Sequence, residues 1–237
     1  MRNGHAEAQF ERATDEAFAA LHEGRREAAG LILWNALQAL DAVRDDDERR
    51  SLAGRLGAVC LHAGFDDIAL LALDVGIELH EAAGDIRALE NDRMTVGTVH
   101  FRLGNLAAAE SAWRRVHEDA VRNGDDANAA SASTNLASLY AQEDRLADAA
   151  DLLEQSLASL AREPFPETEL NTRFLLFQVL AAQGAAPARV LDAAAPLGQW
   201  ADQIGDAHSS RLADVIAGAV AELPERRAEF DWLLGRF

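Results

Sequence analysis

The stretch NLASLYAQEDRLADAADLLEQSL, which runs from Asn135 to Leu157, decides the fold of this 237-residue chain. Small and apolar residues recur in it at helical spacing, and the sequence Gln-Glu-Asp-Arg around Asp144 breaks them once. Ala and Leu favour helix, and a polar break between two apolar stretches indicates a turn. The stretch therefore predicts two helices that fold back on each other as a hairpin.

The same break recurs along the chain with a period of 40 residues. The turn residues at this spacing are Gly24, Gly64, Gly104, Asp144 and Gly184. One further period reaches Pro224, and proline is suited to the start of a helix. A second series of turns has Gly84-Asp85 and Gly124-Asp125, which are 40 residues apart. Gly205-Asp206 comes two periods and one residue later. Turn signals at one phase over nearly the whole chain predict repeats of a single supersecondary unit.

Apolar residues between the turns recur at three- and four-residue spacing, which predicts helices on both sides of each turn. A lone hairpin of this kind cannot bury its apolar face, so we expect neighbouring hairpins to stack as one solenoid domain over residues 1–237. We expect the hairpins to span residues 6–44, 48–84, 86–124, 126–163, 167–204 and 206–237. The last two depart most from the pattern, as terminal capping repeats usually do.

The pattern within each hairpin resembles the tetratricopeptide repeat. That family has a large apolar residue followed by a small one, a bulky residue, the turn, then a small and a bulky residue. The third and fourth hairpins supply Val96-Gly97, His100, Gly104, Ala109 and Trp113, and Leu136-Ala137, Tyr140, Asp144, Ala149 and Leu153. The second supplies Leu56-Gly57, Cys60, Gly64, Ala69 and Leu73.

Two hairpins depart from this pattern. In the first hairpin Glu16 takes the large apolar position, and in the fifth Arg189 takes the small one. We also expect Pro187 and Pro196 to interrupt the second helix of the fifth hairpin.

The resemblance implies an all-α fold, a right-handed alpha-alpha superhelix of about six repeats in the long-helix variety. HEAT and armadillo repeats have similar lengths. The turn glycines and a column of small residues argue against both alternatives, because small residues let paired helices approach closely. That column is Ala29, Ala69, Ala109 and Ala149.

Charge and composition limit the classes of partner. The formal net charge is −18, and every basic side chain is an arginine. An acidic surface repels phosphate backbones and anionic lipid, so we expect neither nucleic acid nor a membrane as partner, and favour a basic or neutral polypeptide. No signal peptide or membrane-spanning apolar run is evident, which predicts a cytoplasmic protein. The Arg- and Ala-rich usage suggests a bacterial source.

No catalytic or metal-binding pattern stands out in the sequence. The seven histidines form no HExxH motif, and no phosphate-binding loop or nucleophile elbow is present. Cys60 falls on the helix-packing column of His100 and Tyr140, so we expect a buried structural thiol. The four tryptophans lie in helical apolar patterns, and we expect them to pack between repeats. The sequence therefore predicts a protein that is not an enzyme and has no cofactor or metal.

The resemblance implies that the first helices line a concave groove, which would bind an extended peptide or a partner helix. Positions 40 residues apart form columns on these helices, and one column, Ser51, Asn91, Ser131, Asn171 and Arg211, is entirely polar. Amide groups can pair with peptide backbone, while neighbouring apolar positions select side chains. The candidate groove residues are Asn91, Met94, Thr98, Phe101, Arg102, Ser131, Thr134, Asn135, Ser138, Asn171, Phe174 and Gln178.

Two functions fit these observations. The first is a non-enzymatic adaptor or scaffold that binds a partner protein in the groove. The second is a regulatory sensor subunit, whose repeats bind a signalling peptide or small ligand and control a separate effector. Polar columns that merely solvate an exposed helical face would explain the pattern without either function. The sequence leaves open whether the chain forms homo-oligomers.

Overall fold

The computed structural model describes residues 5–161, 165–200 and 206–235. Across these ranges the chain is built from helices and turns, without a β-strand, and the predicted all-α class is confirmed. The helices of the first three hairpins are α1 (His5–His22) and α2 (Arg26–Ala39), α3 (Asp46–Ala63) and α4 (Asp66–Ala83), and α5 (Ile86–Arg102) and α6 (Leu106–Asn123). A short 3-10 helix, Leu40–Ala42, extends α2.

The second half of the chain continues the same order. Its helices are α7 (Asp126–Gln142) and α8 (Leu146–Leu160), α9 (Pro166–Ala182) and α10 (Pro187–Ala194), and α11 (Asp206–Glu222) and α12 (Asp231–Leu234), with 3-10 helices at Ala195–Trp200 and Pro224–Phe230. The predicted turn at Gly205 lies outside the described residues. Residue contacts divide the chain into two compact units. The first unit ends at Val116, and the second begins at His117. Each unit is described by itself below.

The turn inside each hairpin is set by backbone conformation. The residues at the 40-residue turn positions all have a positive φ: 75° at Gly24, 79° at Gly64, 77° at Gly104, 60° at Asp144 and 65° at Gly184. Glycine adopts this left-handed region without a steric penalty. At the end of α3 the reversal lets the Phe65 N–H donate to the Cys60 carbonyl at 2.8 Å. The period therefore marks where helices must stop.

Aspartates begin the first helices of hairpins two, three and four. The side chains of Asp45, Asp85 and Asp125 accept hydrogen bonds from the backbone N–H three residues later, at 3.0, 3.3 and 3.0 Å. These bonds satisfy donors that the first helical turn leaves without an intrahelical partner. Acidic residues there also favour the positive end of the helix dipole.

Close approach of the paired helices organises the core of both units. In the first unit Ala29, Ala69 and Ala109 are fully buried, and in the second unit Ala149 is too. In the second and third hairpins the small residue of the first helix faces a bulky residue of the partner helix. A Cβ added to Gly57 would lie 2.5 Å from Leu73 Cγ, and one added to Gly97 would lie 2.4 Å from Trp113 Nε1. No side chain larger than hydrogen fits at either contact.

Two details of the second helices differ from the sequence expectations. The prediction that Trp34 packs between repeats is wrong, because its side chain is exposed. The positions one, two and three periods later are Asp74, Arg114 and Glu154, and all three lie on the exposed side of second helices. Pro187 begins α10 instead of interrupting it, since its ring is compatible with the first helical position.

Asp144 is the only residue other than glycine with positive φ in the described part of the chain. We expect Asp144→Gly to raise the free energy of unfolding by about 0.5–1 kcal/mol, because glycine has no steric cost in the left-handed region. The higher conformational entropy of glycine in the unfolded chain offsets part of this stabilisation. The reciprocal change, Gly104→Ala, should lower it by about 1 kcal/mol. No atom lies within 4 Å of the added Cβ, so that loss would come from the backbone alone. Urea denaturation measures both values, and a loss of stability in Asp144→Gly would contradict the argument.

Candidate partner-binding surfaces on the first helices

The first unit carries five of the candidate residues on α5, which packs beside α3. We call Asn91, Met94, Thr98, Phe101 and Arg102 the α5 surface. The first four follow each other at three- and four-residue spacing, so they share one face of the helix. Asn91 is exposed, while Met94, Thr98 and Phe101 are half-buried. A polar group thus stands beside partly accessible apolar side chains.

Trp113 of α6 supports the α5 surface from beneath. Its indole Nε1 donates to the Met94 carbonyl at 3.1 Å, and its ring lies 5.5 Å from that of Phe101, centroid to centroid. The Thr98 hydroxyl also donates to the Met94 carbonyl, at 3.1 Å. These contacts fix the backbone and the aromatic ring of this surface before any partner arrives, which reduces the entropy cost of binding.

Arg102, at the end of α5, is held by residues of the preceding hairpin. Its guanidinium forms an ion pair with Asp66 at the start of α4 and donates to the Leu61 carbonyl near the end of α3. Arginine can hold a carboxylate through two parallel hydrogen bonds. Arg102 therefore ties consecutive hairpins together, and a partner would meet a guanidinium that is already paired.

The second unit carries the remaining seven candidates, which we call the α7–α9 surface. They are Ser131, Thr134, Asn135 and Ser138 on α7, and Asn171, Phe174 and Gln178 on α9. The four residues of α7 and Phe174 are half-buried, whereas Asn171 and Gln178 are exposed. The two helices pack side by side. Their exposed faces therefore form one continuous surface within this unit.

A hydroxyl pair joins the two helices of the α7–α9 surface. The Oγ1 atoms of Thr134 and Thr172 are 2.9 Å apart, at hydrogen-bond distance. Thr172 is fully buried, so this contact lies beneath the exposed amides. At one edge of the surface, the Arg173 Nε donates to Glu169 Oε1 at 2.8 Å. The two opposite charges of this pair neutralise each other.

Sequence reasoning missed a buried cluster in the first unit, formed by His80 of α4 with Asp85 and Asp92. The Nε2 atom of His80 lies 3.6 Å from Asp92 Oδ2, and its Nδ1 lies 3.8 Å from Asp85 Oδ2. His80 and Asp92 are both buried. Burial and the charge of Asp85 raise the pKa of Asp92 to about 7, and burial lowers the pKa of His80. Both groups therefore favour their neutral forms in the folded protein.

Glycines make room for this carboxyl group. A Cβ added to Gly76 would lie 2.4 Å from Asp92 Oδ2, and one added to Gly54 would lie 2.8 Å from Oδ1. The available sequence signal was the column that Asp92 shares with Leu52, Ala132 and Thr172, in which it is the only acidic residue. The cluster is packed into the hairpin interface, so its measurable effect is on stability.

Two observations on the described residues concern metal ligands and the single thiol. Within them, no three side chains of His, Cys, Asp or Glu come together as metal ligands. Cys60 is buried and free, as the sequence predicts, and burial raises the pKa of its thiol to about 12. The thiolate needed for nucleophilic attack is thereby disfavoured. None of the described helices has the length and apolarity needed to span a membrane.

Comparisons with known proteins agree with this architecture. Residues 86–162, which include α5 to α8, match the family model of the tetratricopeptide repeat. No curated protein matches the chain. Among solved structures, it is similar to TPR-like repeats from a chain named as a kinesin light chain of Podosopora anserina, with 16% identity, a TM-score of 0.59, and coverage of 81% of this chain and 95% of that one.

Two further structures show the same fold. A form of the Podosopora anserina repeats that carries a single substitution has 14% identity and a TM-score of 0.60, over 95% of this chain and 99% of that one. BtubC (BKLC) from P. vanneervenii has 20% identity and a TM-score of 0.58, over 81% of this chain and 90% of that one. The predicted resemblance to tetratricopeptide repeats is thus confirmed, and the chain has the helical-repeat fold of those structures.

We expect Asp92→Asn to remove a pH-dependent loss of stability. The wild-type carboxyl keeps its proton in the folded state up to about pH 7, while the unfolded chain releases it near the ordinary pKa of 3.8. Between these values the unfolded state binds fewer protons, so the carboxyl lowers the free energy of unfolding by up to about 1.4 kcal/mol per pH unit as pH rises. Above pH 7 both states are ionised and the loss stops growing.

The measurement is the difference in unfolding free energy, variant minus wild type, from urea titrations between about pH 4 and 8. It should rise with pH and level off above 7. His80 has an effect of the opposite sign in both proteins, because its lowered pKa reduces the free energy of unfolding as pH falls through 6.5. Asp67→Asn, at an exposed position of α4, is the control and should not reproduce this rise. A flat line for Asp92→Asn would contradict the buried neutral carboxyl.

Proposed function

We propose that this chain is a non-enzymatic adaptor, which binds an extended segment or an amphipathic helix of a partner protein on the exposed faces of its first helices. The α7–α9 surface carries the proposal. Asn171, Phe174 and Gln178 lie on one face of α9, with an accessible aromatic edge between two exposed amides. Amides can pair with the backbone of a bound segment, and the ring can contact one of its apolar side chains.

The rigidity of the scaffold supports this function. The α7–α9 surface is joined beneath by the Thr134–Thr172 contact, and the α5 surface is held by Trp113. When a partner binds such a surface, only the partner loses conformational entropy, because the surface is already ordered. A larger part of the contact energy therefore contributes to affinity. Tetratricopeptide repeats generally bind other proteins, and the family model covers both α5 and α7.

The net charge indicates what kind of partner to expect. At −18 the chain attracts basic segments, does not repel neutral ones, and repels nucleic acid and anionic membranes. We therefore propose a protein partner whose binding segment is basic or neutral. The polar groups of the α7–α9 surface are hydroxyls and amides, which suit recognition of a peptide rather than general acid–base chemistry.

The test uses a peptide selected on the wild-type protein from a displayed random library, with affinity then measured by calorimetry. We expect the double variant Asn171→Ala, Gln178→Ala to raise Kd at least about tenfold, because it removes two exposed hydrogen-bonding groups. Asn91→Ala provides the equivalent test for a peptide that binds the α5 surface.

The matched control is Gln155→Ala, which removes an exposed amide from the second helix α8. It should leave Kd unchanged. If Gln155→Ala weakens binding while the variants of α5 and α9 do not, the partner binds the second helices and the proposed surfaces are wrong.

A further inference from the structure

A cavity of about 700 Å³ lies in the first unit, and none of its lining residues belongs to the α5 surface. It is lined by α1, the second half of α2 with its 3-10 extension, and the start of α3. Its walls are mainly apolar and include Phe10, Ile32, Leu40, Val43 and Leu52. Small-molecule sites in proteins have this size and this mainly apolar lining, with a few polar groups to orient the ligand.

One wall of the cavity departs from the repeat. Glu16 lines it, at the position where hairpins two, four and five have Leu56, Leu136 and Leu176. Those leucines are buried and pack inside their hairpins, whereas Glu16 is exposed. The first hairpin therefore lacks the side chain that fills this space in the others, and has a carboxylate in its place.

A second carboxylate of the cavity has an unused acceptor. Glu48 lies in the first turn of α3, where its backbone N–H donates to Asp45 Oδ1 at 3.0 Å. Its Oε1 atom is buried and has no hydrogen-bond partner in the described part of the chain. A buried carboxylate oxygen without a donor costs free energy, which a donor brought by a ligand would recover.

The charges around the cavity select the sign of that ligand. Its lining contains the three carboxylates Glu16, Asp45 and Glu48 and a single guanidinium, Arg44. A cation gains from this excess of negative charge, and one that carries N–H donors can also satisfy Glu48. An anionic ligand of the same shape would be repelled, and a neutral one would leave the charges unpaired.

We propose that this cavity is a binding site for a small amphipathic cation, in which an aliphatic body fills the apolar walls and an ammonium or guanidinium group pairs with Glu48 and Glu16. The site is separate from the peptide-binding surfaces and goes beyond the proposed adaptor function. Occupancy would brace α1 and α2 against α3, since residues of all three helices would contact one ligand.

The test compares three probes that share an eight-carbon chain and differ in the end group: octylammonium, octanol and octanoate. Calorimetry at pH 7 on the full chain should show octylammonium binding at least about tenfold more tightly than octanol, with octanoate weakest. Equal affinity for the ammonium and the alcohol would overturn the proposal, because the carboxylates would then select nothing.

Two variants locate the binding. Glu48→Gln keeps the shape of the side chain and its place in the first turn, and should weaken octylammonium binding about tenfold. Glu16→Leu restores the apolar residue of the other hairpins, fills part of the cavity, and should abolish binding. Glu27→Gln removes an equal charge from an exposed position of α2 and controls for attraction to the acidic chain as a whole. Octylammonium binding that Glu48→Gln leaves intact, or that Glu27→Gln weakens equally, would also overturn the site.

Discussion

The close contact between the two helices of each hairpin is the constraint on which the rest of the structure depends. Alanines of the second helices are fully buried at this contact, at Ala29, Ala69, Ala109 and Ala149. The first helices have small residues at the same contact. Leu73 and Trp113 lie so close to Gly57 and Gly97 that a Cβ would not fit there. Helices that approach this closely can bury their bulky side chains against the next hairpin. Consecutive first helices then pack side by side within each unit.

Packing uses only part of each helix, and the remaining positions are free to carry function. On α9 the buried face includes Thr172 and Leu176, while Asn171 and Gln178 project outward. The same separation explains the cavity of the first hairpin. Glu16 occupies a position where other hairpins have a buried leucine. The cavity beside it is lined by residues of α1, α2 and α3. A residue that departs from the repeat, such as Glu16, therefore adds a chemical group that the other hairpins lack at that position.

Much of the fold could be predicted from sequence because turns and periodicity are local properties. Gly64 or Gly104 ends a helix through its own backbone conformation, and a 40-residue column assigns residues to a face without knowledge of neighbours. The cluster of His80 with Asp92 escaped that reasoning, because the two residues belong to different helices and different columns. The cavity escaped it as well, since its shape depends on three helices. The prediction for Trp34 failed because it followed the apolar character of the side chain, although the next three positions of its column, Asp74, Arg114 and Glu154, are charged.

The packing of first helices 40 residues apart is the central claim, and a designed disulfide measures it most directly. Thr134 of α7 and Thr172 of α9 hold their Oγ1 atoms 2.9 Å apart, which places their Cβ atoms within reach of a disulfide. The double variant Thr134→Cys, Thr172→Cys should oxidise to an intramolecular disulfide, seen by mass spectrometry of the proteolysed chain. Cys60, buried with a thiol pKa of about 12, should stay reduced. A double variant that remains reduced, or pairs only between molecules, would contradict the side-by-side arrangement of α7 and α9.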